Sequence, residues 1–158
     1  MPKWQDWIYK NTNMIYNEQP DNFIPDIKVV ACLIEYKGKI LLLHRHNHKS
    51  EGGKWGPPAG KMDKEDKNEK SAMLRELKEE TGLVLSEDDL TFHKTFYVVY
   101  PNKKYFYHYH RALLKKDVDI IIEKNEHQDF IWMTPEEALK MPLVMDEYYC
   151  LKDYYGIK

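Results

Sequence analysis

Apolar residues in this chain fall into runs whose spacing predicts strands in some places and helices in others. Runs rich in β-branched and aromatic residues, bounded by turn residues, are typical of strands. Five segments have this pattern: residues 27–35, 39–45, 90–100, 104–114 and 130–133. Gly38 separates the first two, and a short turn over residues 101–103 separates the next two. We therefore expect two hairpins and one further short strand.

Three segments are expected to be helical. Residues 67–81 place their apolar side chains on one side at helical spacing, and Gly82 stands where a left-handed C-terminal residue belongs. Thr134, followed by a proline and two glutamates, predicts the start of a second helix, and residues 146–154 predict a third. Residues 46–60 are expected to form an irregular loop.

Strands that alternate with helices favour a single α/β layered domain, and 158 residues are enough to build one such core. Residues 1–24 carry tryptophan and aliphatic side chains before two prolines interrupt the run. We expect them to form an N-terminal extension that packs on the domain or on a second subunit. A homodimer is therefore a possible assembly.

Composition narrows the class of function. No apolar run approaches the roughly 18 residues that span a bilayer, and the first residues lack the apolar core of a signal peptide. A cytoplasmic protein without a membrane partner is expected. The formal charge of −2 gives no electrostatic case for coating nucleic acid. The two cysteines lack metal-ligand spacing and are expected to be free, so a small molecule is the expected partner.

The densest chemistry lies near the end of the first predicted helix. Glu76, Glu79 and Glu80 are related by three and four residues, so they are neighbours on one helical face. Carboxylates this close repel one another unless a cation lies among them, and Mg²⁺ or Mn²⁺ prefers carboxylate oxygen. The alternative is a solvated face with an arginine–glutamate pair. The rigid turn over residues 55–60 favours a metal site, because it can bring backbone carbonyls close to the acids.

These residues resemble the Nudix box, whose pattern is Gly, five residues, Glu, seven residues, then Arg-Glu-aliphatic-x-Glu-Glu-x-Gly-aliphatic. Residues 75–83 match the second half completely. Gly60 lies one residue farther from Arg75 than the pattern requires. The position of the first glutamate falls on Asp66 when counted from Gly60 and on Lys67 when counted back from Arg75. Flanking segments extend the resemblance over roughly residues 27–140.

Asp66 has two interpretations. It could replace the family glutamate, a role that Glu65 could also take, or it could cap the helix in a capping box with Glu69. The capping interpretation is favoured.

The resemblance implies a Nudix-type α/β/α sandwich around a central mixed β-sheet. It also implies that Glu76, Glu79 and Glu80 bind the metal, with the carbonyl of Gly60 as a possible further ligand. Arg75 is expected to orient these carboxylates through Glu79 and the loop acid.

A general base in this family often lies outside the box, before the final helix. Glu126 is the candidate and Glu123 is the other possibility. Arg45, at a strand end, is a candidate contact for substrate phosphate, with a surface salt bridge as the alternative. Tyr97 is a candidate aromatic contact for a nucleotide base.

The expected function is Mg²⁺-dependent hydrolysis of a diphosphate linkage in a nucleoside diphosphate derivative, with Mn²⁺ as a possible substitute. Nucleoside triphosphates are favoured slightly over nucleotide sugars. A catalytically inactive nucleotide-binding sensor is another alternative, supported only by the altered box spacing. An isomerase of isoprenyl diphosphates is disfavoured because Cys32 lacks the surrounding motif.

Overall fold

A mixed β-sheet with helices on both faces forms the centre of the protein. The computed structural model describes residues 15–100, 103–144 and 147–158. Within these residues the strands are β1 Ile15–Tyr16, β2 Ile27–Tyr36, β3 Lys39–Arg45, β4 Trp55–Gly56, β5 Ala59–Lys61, β6 Thr91–Tyr100, β7 Lys103–Leu113 and β8 His127–Met133. The helices are α1 Glu69–Thr81, α2 Pro135–Ala138 and α3 Glu147–Tyr155.

The sheet runs in the order β1-β6-β7-β2-β3-β4, with β5 paired to β2 and β8 paired to β3. The β2 and β7 strands are parallel, with Val30 opposite His108, and the other pairs are antiparallel. Because β2 pairs with β7 on one edge and with β3 and β5 on the other, it lies at the centre. It therefore connects the long hairpin β6–β7 to the short strands that approach α1.

Alternate side chains of β2 enter two separate cores. Val30, Cys32 and Ile34 pack with Met73 and Leu77 of α1 and are fully buried. On the other face, β2 residues pack in a second core with residues of α2 and α3. Full burial of an aliphatic side chain contributes roughly 1.5–3 kcal/mol, so such contacts fix the helices to the two faces of the sheet. The predicted α/β/α sandwich with a mixed sheet is confirmed.

The α1 helix begins later than predicted. Its N-cap is Asn68, whose Oδ1 accepts the N–H of Ser71 at 2.9 Å, while Ser71 Oγ accepts the N–H of Asn68 at 3.0 Å. The prediction that Asp66 caps the helix is therefore wrong. The C-terminal prediction is confirmed, because Gly82 has φ of 75° and donates its N–H to the carbonyl of Lys78.

Both hairpins form as predicted, with residues 101–102 of the second turn outside the described residues. The irregular loop over residues 46–60 was predicted incorrectly in part, because β4 and the first residues of β5 lie within it. β8 begins at His127 rather than at residue 130. Thr134 caps α2 as expected. α3 begins at Glu147, and residue 146 lies outside the described residues.

Most of the proposed N-terminal extension, residues 1–14, lies outside the described residues. Beyond it, β1 pairs with β6, and Phe23 packs against Tyr97 and Phe106 with ring centroids 5.6 and 5.5 Å apart. Both cysteines are buried and free, as expected. Among the described residues, no helix has the length and apolar character needed to cross a membrane. One domain over residues 1–158, and a homodimer, remain predictions.

Candidate active site

The acidic face of α1 lies against β5, which is the strand formed by Ala59–Lys61. Glu76 and Glu80 are buried, with 8% and 7% of their surface exposed, whereas Glu79 is exposed. The spacing of four residues brings the first two to the same side of the helix, facing the sheet. Glu79 lies at the solvent edge of the same face.

Gly60 makes this close packing possible. A Cβ atom on Gly60 would lie 2.1 Å from Cδ of Glu76 and 2.3 Å from each of its carboxylate oxygens. Contacts that short do not occur, so any larger residue would displace the carboxylate. The glycine predicted to begin the box therefore forms a cradle for Glu76. Its carbonyl as a metal ligand stays a prediction.

Arg75 connects the loop before α1 to two of the glutamates. Its Nε and Nη2 donate to the two carboxylate oxygens of Asp66 at 3.0 and 2.8 Å. Nη1 donates to Glu76 at 3.0 Å and to Glu79 at 3.2 Å, and Nη2 also donates to the carbonyl of Lys61. Hydrogen bonding to Arg75 lowers the pKa of Asp66, so this acid stays ionised. The longer loop thus supplies Asp66, not exposed Glu65, as the acid that holds the arginine.

Too little positive charge lies near Glu76 and Glu80 to balance two ionised carboxylates. Burial raises the pKa of Glu76 to about 7 although Arg75 opposes the shift. Burial, followed by the charge of Glu76, raises the pKa of Glu80 well above its usual range. Glu80 accepts the N–H of Ala59 at 3.0 Å, which fixes its carboxylate beside β5. A cation between these groups would favour the ionised form of both.

This donor set fits a hard divalent cation. Such ions bind carboxylate oxygen, and the buried pair lacks the charge that the ion would supply. In the part of the chain that the structure describes, no three His, Cys, Asp or Glu side chains are already arranged as a metal site. Arg75 occupies oxygens of Glu76 and Glu79, and the exposed Glu79 side chain has room to turn. The cluster therefore provides the carboxylates, and their final arrangement depends on the ion.

The candidate base and the candidate phosphate contact lie near this cluster. Glu126 is close enough that its charge contributes to the raised pKa of Glu80, after burial and Glu76. Glu126 Oε1 pairs with Lys49 Nζ at 3.0 Å. Arg45 donates from Nε to the carbonyl of Ser50 at 2.8 Å. The pairing of β3 with β8 brings Arg45 opposite His127. The loop after β3 and the loop before β8 therefore meet at one edge of the acidic face.

The structure does not bring two other candidates to the cluster. Glu123 accepts the N–H of Asn125 and its carbonyl accepts the N–H of Glu126, so it holds the turn before β8. Tyr97 is half-buried between Phe23 and Phe106 on the outer hairpin. Its role as a substrate contact stays a prediction that these contacts do not support.

A pocket lies beside the acidic face, and its walls are mainly apolar. It is lined by Leu43, Arg45, Gly56, Pro57, Ala59, Tyr107, His127 and Val144. Beneath it, Tyr107 donates its hydroxyl to the fully buried carboxylate of Glu147 at 3.2 Å, and Tyr109 donates to the same carboxylate. Ala59 lines the pocket and binds Glu80 through its N–H, so the pocket and the acids share a wall.

Sequence reasoning missed Lys49, His127 and the N–H of Ala59. Lys49 meets Glu126 across 77 residues of sequence, and no local pattern predicts that contact. His127 directly follows Glu126, so the adjacency was visible, but its burial depends on the pairing of β8 with β3.

A sequence model described as the NUDIX domain matches residues 25–154. This chain belongs to the Nudix family. The resemblance inferred from residues 60–83 is therefore confirmed over most of the chain. Nudix hydrolases act on nucleoside diphosphate derivatives and generally use divalent metal ions.

Among known Nudix proteins, a CTP pyrophosphohydrolase of Escherichia coli (strain K12) is 31% identical over 135 residues, which cover 84% of this chain and 93% of that protein. This chain is likewise a hydrolase of pyrophosphate bonds.

A solved Ap4A hydrolase of C. elegans is 25% identical, with a TM-score of 0.67, and covers 82% of this chain and 96% of that one. The NUDIX domain of Shewanella oneidensis NrtR, complexed with ADP ribose, has a TM-score of 0.72 at 21% identity and covers 99% and 98%. The second likeness concerns the fold alone.

Proposed function

We propose that this protein is a Mg²⁺-dependent nucleoside triphosphate pyrophosphohydrolase. Water attacks one of the two phosphorus atoms that the α,β-bridging oxygen joins, and the bond from that phosphorus to the bridging oxygen breaks. The products are a nucleoside monophosphate, pyrophosphate and a proton. The observation that carries this proposal is the buried pair Glu76 and Glu80, short of positive charge, beside a pocket with apolar walls. The relative that hydrolyses CTP supports the choice of a triphosphate.

The roles of the acidic residues follow from their contacts. Glu76, Glu79 and Glu80 would hold the divalent ion, with the carbonyl of Gly60 as a further candidate ligand. When bound, the ion would neutralise charge on the diphosphate and lower the pKa of the attacking water. Arg75, held by Asp66, keeps the carboxylates of Glu76 and Glu79 close together. Phosphoryl transfer depends mainly on such positioning and on charge stabilisation.

Glu126 is proposed to accept the proton of the water. Its side chain is 43% exposed and lies within electrostatic range of Glu80, at the rim of the acidic face. The pair with Lys49 must loosen, or Lys49 must move toward substrate phosphate, before Glu126 takes up a proton. Arg45, which lines the pocket, is proposed to bind the phosphate nearest the nucleoside.

The contact of Asp66 with Arg75 bears on the inactive-sensor alternative. That alternative depended on the longer box loop disabling the site. Asp66 meets the arginine through two hydrogen bonds despite the extra residue, which supports turnover. Nucleotide sugars stay as competing substrates to be compared directly.

The test is product formation from nucleoside triphosphates, nucleotide sugars and dinucleoside polyphosphates, each with Mg²⁺ and with a chelator. Monophosphate and pyrophosphate, separated by chromatography, are expected from a triphosphate, and the chelator is expected to stop their formation. Hydrolysis of nucleotide sugars with no reaction of triphosphates would replace the proposed substrate. Tight nucleotide binding without any turnover would favour a sensor instead.

A further inference from the structure

His127 lies in the pocket wall. One of its ring nitrogens is buried and has no role in the acidic cluster or in the proposed reaction. Only 5% of the residue is exposed. Its Nδ1 is buried and has no hydrogen-bond partner among the described residues. Buried polar groups in folded proteins are nearly always hydrogen-bonded, so an unpaired one requires an explanation. A ligand that enters the pocket could provide the missing partner.

The pocket is placed to receive the part of a nucleotide attached to the phosphates. Ala59 contributes to its wall and binds Glu80, and Arg45 lines it as well. With the diphosphate at the acidic face, a nucleoside directed toward Ala59 and Arg45 would reach this pocket. This step rests on the proposed function.

The pocket is small, with a volume of about 50 Å³, and its walls suit the edge of a flat heterocycle with few polar contacts. Leu43, Pro57 and Val144 are apolar, and Tyr107 has its hydroxyl directed to Glu147. Binding pockets of this kind use a small number of placed polar groups to choose among ligands. His127, which lines the pocket, is such a group.

The charge state of His127 suits a hydrogen bond to a nucleobase rather than to a phosphate. Burial, and next the charge of Arg45, lowers the pKa of His127 to about 4, so the ring is neutral near pH 7. A neutral imidazole has one donor and one acceptor nitrogen, which is the combination found along the edge of a nucleobase. A phosphate would instead be bound by the guanidinium of Arg45.

We propose that His127 hydrogen-bonds the nucleobase of the substrate and sets the preference of the enzyme among bases. The rival explanation is that the ring only fills space at the start of β8.

The test compares wild type with His127→Leu, using His48→Leu as a matched control because His48 is exposed in the neighbouring loop. Substrates are the four common nucleoside triphosphates and ribose 5-triphosphate, which has no base. Loss of one neutral hydrogen bond is expected to raise KM for the preferred nucleotide by about fivefold to tenfold, with little change in kcat. Ribose 5-triphosphate is expected to give the same KM in both proteins. His48→Leu is expected to behave as wild type.

Equal losses with and without a base would overturn the proposal, because they would indicate a phosphate contact or a structural role. Unchanged KM for every nucleotide would overturn it as well. If His127→Leu does not fold, His127→Gln, which keeps polar atoms, is measured in the same way. It is expected to alter the ranking of the bases, and an unaltered ranking would again contradict the proposal.

The two proposals fail in different ways. If wild type hydrolyses no triphosphate, the proposed function fails, and the same comparison is made with dissociation constants from calorimetry. A variant that weakens binding of nucleotides but not of ribose 5-triphosphate would still support the role of His127. Equal binding in both proteins would overturn it.

Discussion

Replacing Asp66 with asparagine should damage both stability and catalysis, because Asp66 holds Arg75 in place. The carboxylate accepts two hydrogen bonds from Arg75, at 3.0 and 2.8 Å, and one from the N–H of Asp63 at 2.7 Å. Only 7% of its side chain is exposed. Asparagine keeps one acceptor oxygen but loses the charge and places an amide N–H₂ against the guanidinium.

The expected cost follows from these contacts. A hydrogen bond to a charged group contributes about 1.5–3 kcal/mol, and the low end applies because 27% of the Arg75 side chain is exposed. Loss of one such bond and weakening of the second gives about 2 kcal/mol. In a chain of this length, that lowers the melting temperature by about 4–8 °C. A displaced Arg75 should also reduce kcat/KM by roughly tenfold or more.

The assay is thermal unfolding and triphosphate hydrolysis of Asp66→Asn beside Glu65→Gln, an exposed acid one residue earlier. The pKa of Asp66 is lowered by Arg75, so its stabilisation is present above the pKa of the unfolded chain and lost as pH falls through the folded value. The stability difference from wild type should therefore shrink in acid. Equal melting temperatures and rates for the two variants at pH 7 would refute the role assigned to Asp66.

Three further predictions concern the same helix. Gly60→Ala should leave the melting temperature within about 3 °C of wild type, because the three atoms nearest to the new Cβ all belong to the flexible end of Glu76. It should raise the Mg²⁺ concentration for half-maximal rate by roughly tenfold, and an unchanged Mg²⁺ requirement would contradict the role of Gly60 as a cradle. In metal-free protein, the free energy of unfolding should fall as pH rises from 5 to 8, because folded Glu76 keeps its proton up to about pH 7 and the unfolded chain releases it near 4.5. Denaturant titrations across this range should show a weaker dependence of that free energy on pH in Glu76→Gln. Asn68→Ala should lower the free energy of unfolding in denaturant by about 1 kcal/mol and leave KM unchanged, because it removes only a helix cap. A changed KM would show that Asn68 does more than cap the helix.

The box was predictable from sequence because its chemistry is local. Glu76, Glu79 and Glu80 share a helical face by spacing alone, and Gly82 ends the helix through its own backbone. The start of the helix was not predictable in the same way. Asp66 and Asn68 are both good capping residues, and the choice depends on where Arg75 lies in three dimensions.

Features that depend on distant pairing were missed. β4 and β5 have two and three residues, too few to show periodicity, and they form because β3 and β2 offer them edges. The ion pair of Lys49 with Glu126 joins two loops that only the sheet brings together. Tyr97 was a reasonable aromatic candidate by composition, but Phe23 covers it.

Catalysis at the acidic face is tested most directly by Mg²⁺-dependent triphosphate hydrolysis by Glu79→Gln, with Glu69→Gln on the first turn of the same helix as the control. Phosphorus NMR would follow monophosphate and pyrophosphate together. Glu79→Gln is expected to retain the fold and to lose activity by on the order of a hundredfold or more, while Glu69→Gln stays near wild type. Full activity in Glu79→Gln, or wild-type turnover that a chelator does not reduce, would contradict catalysis at the acidic face of α1.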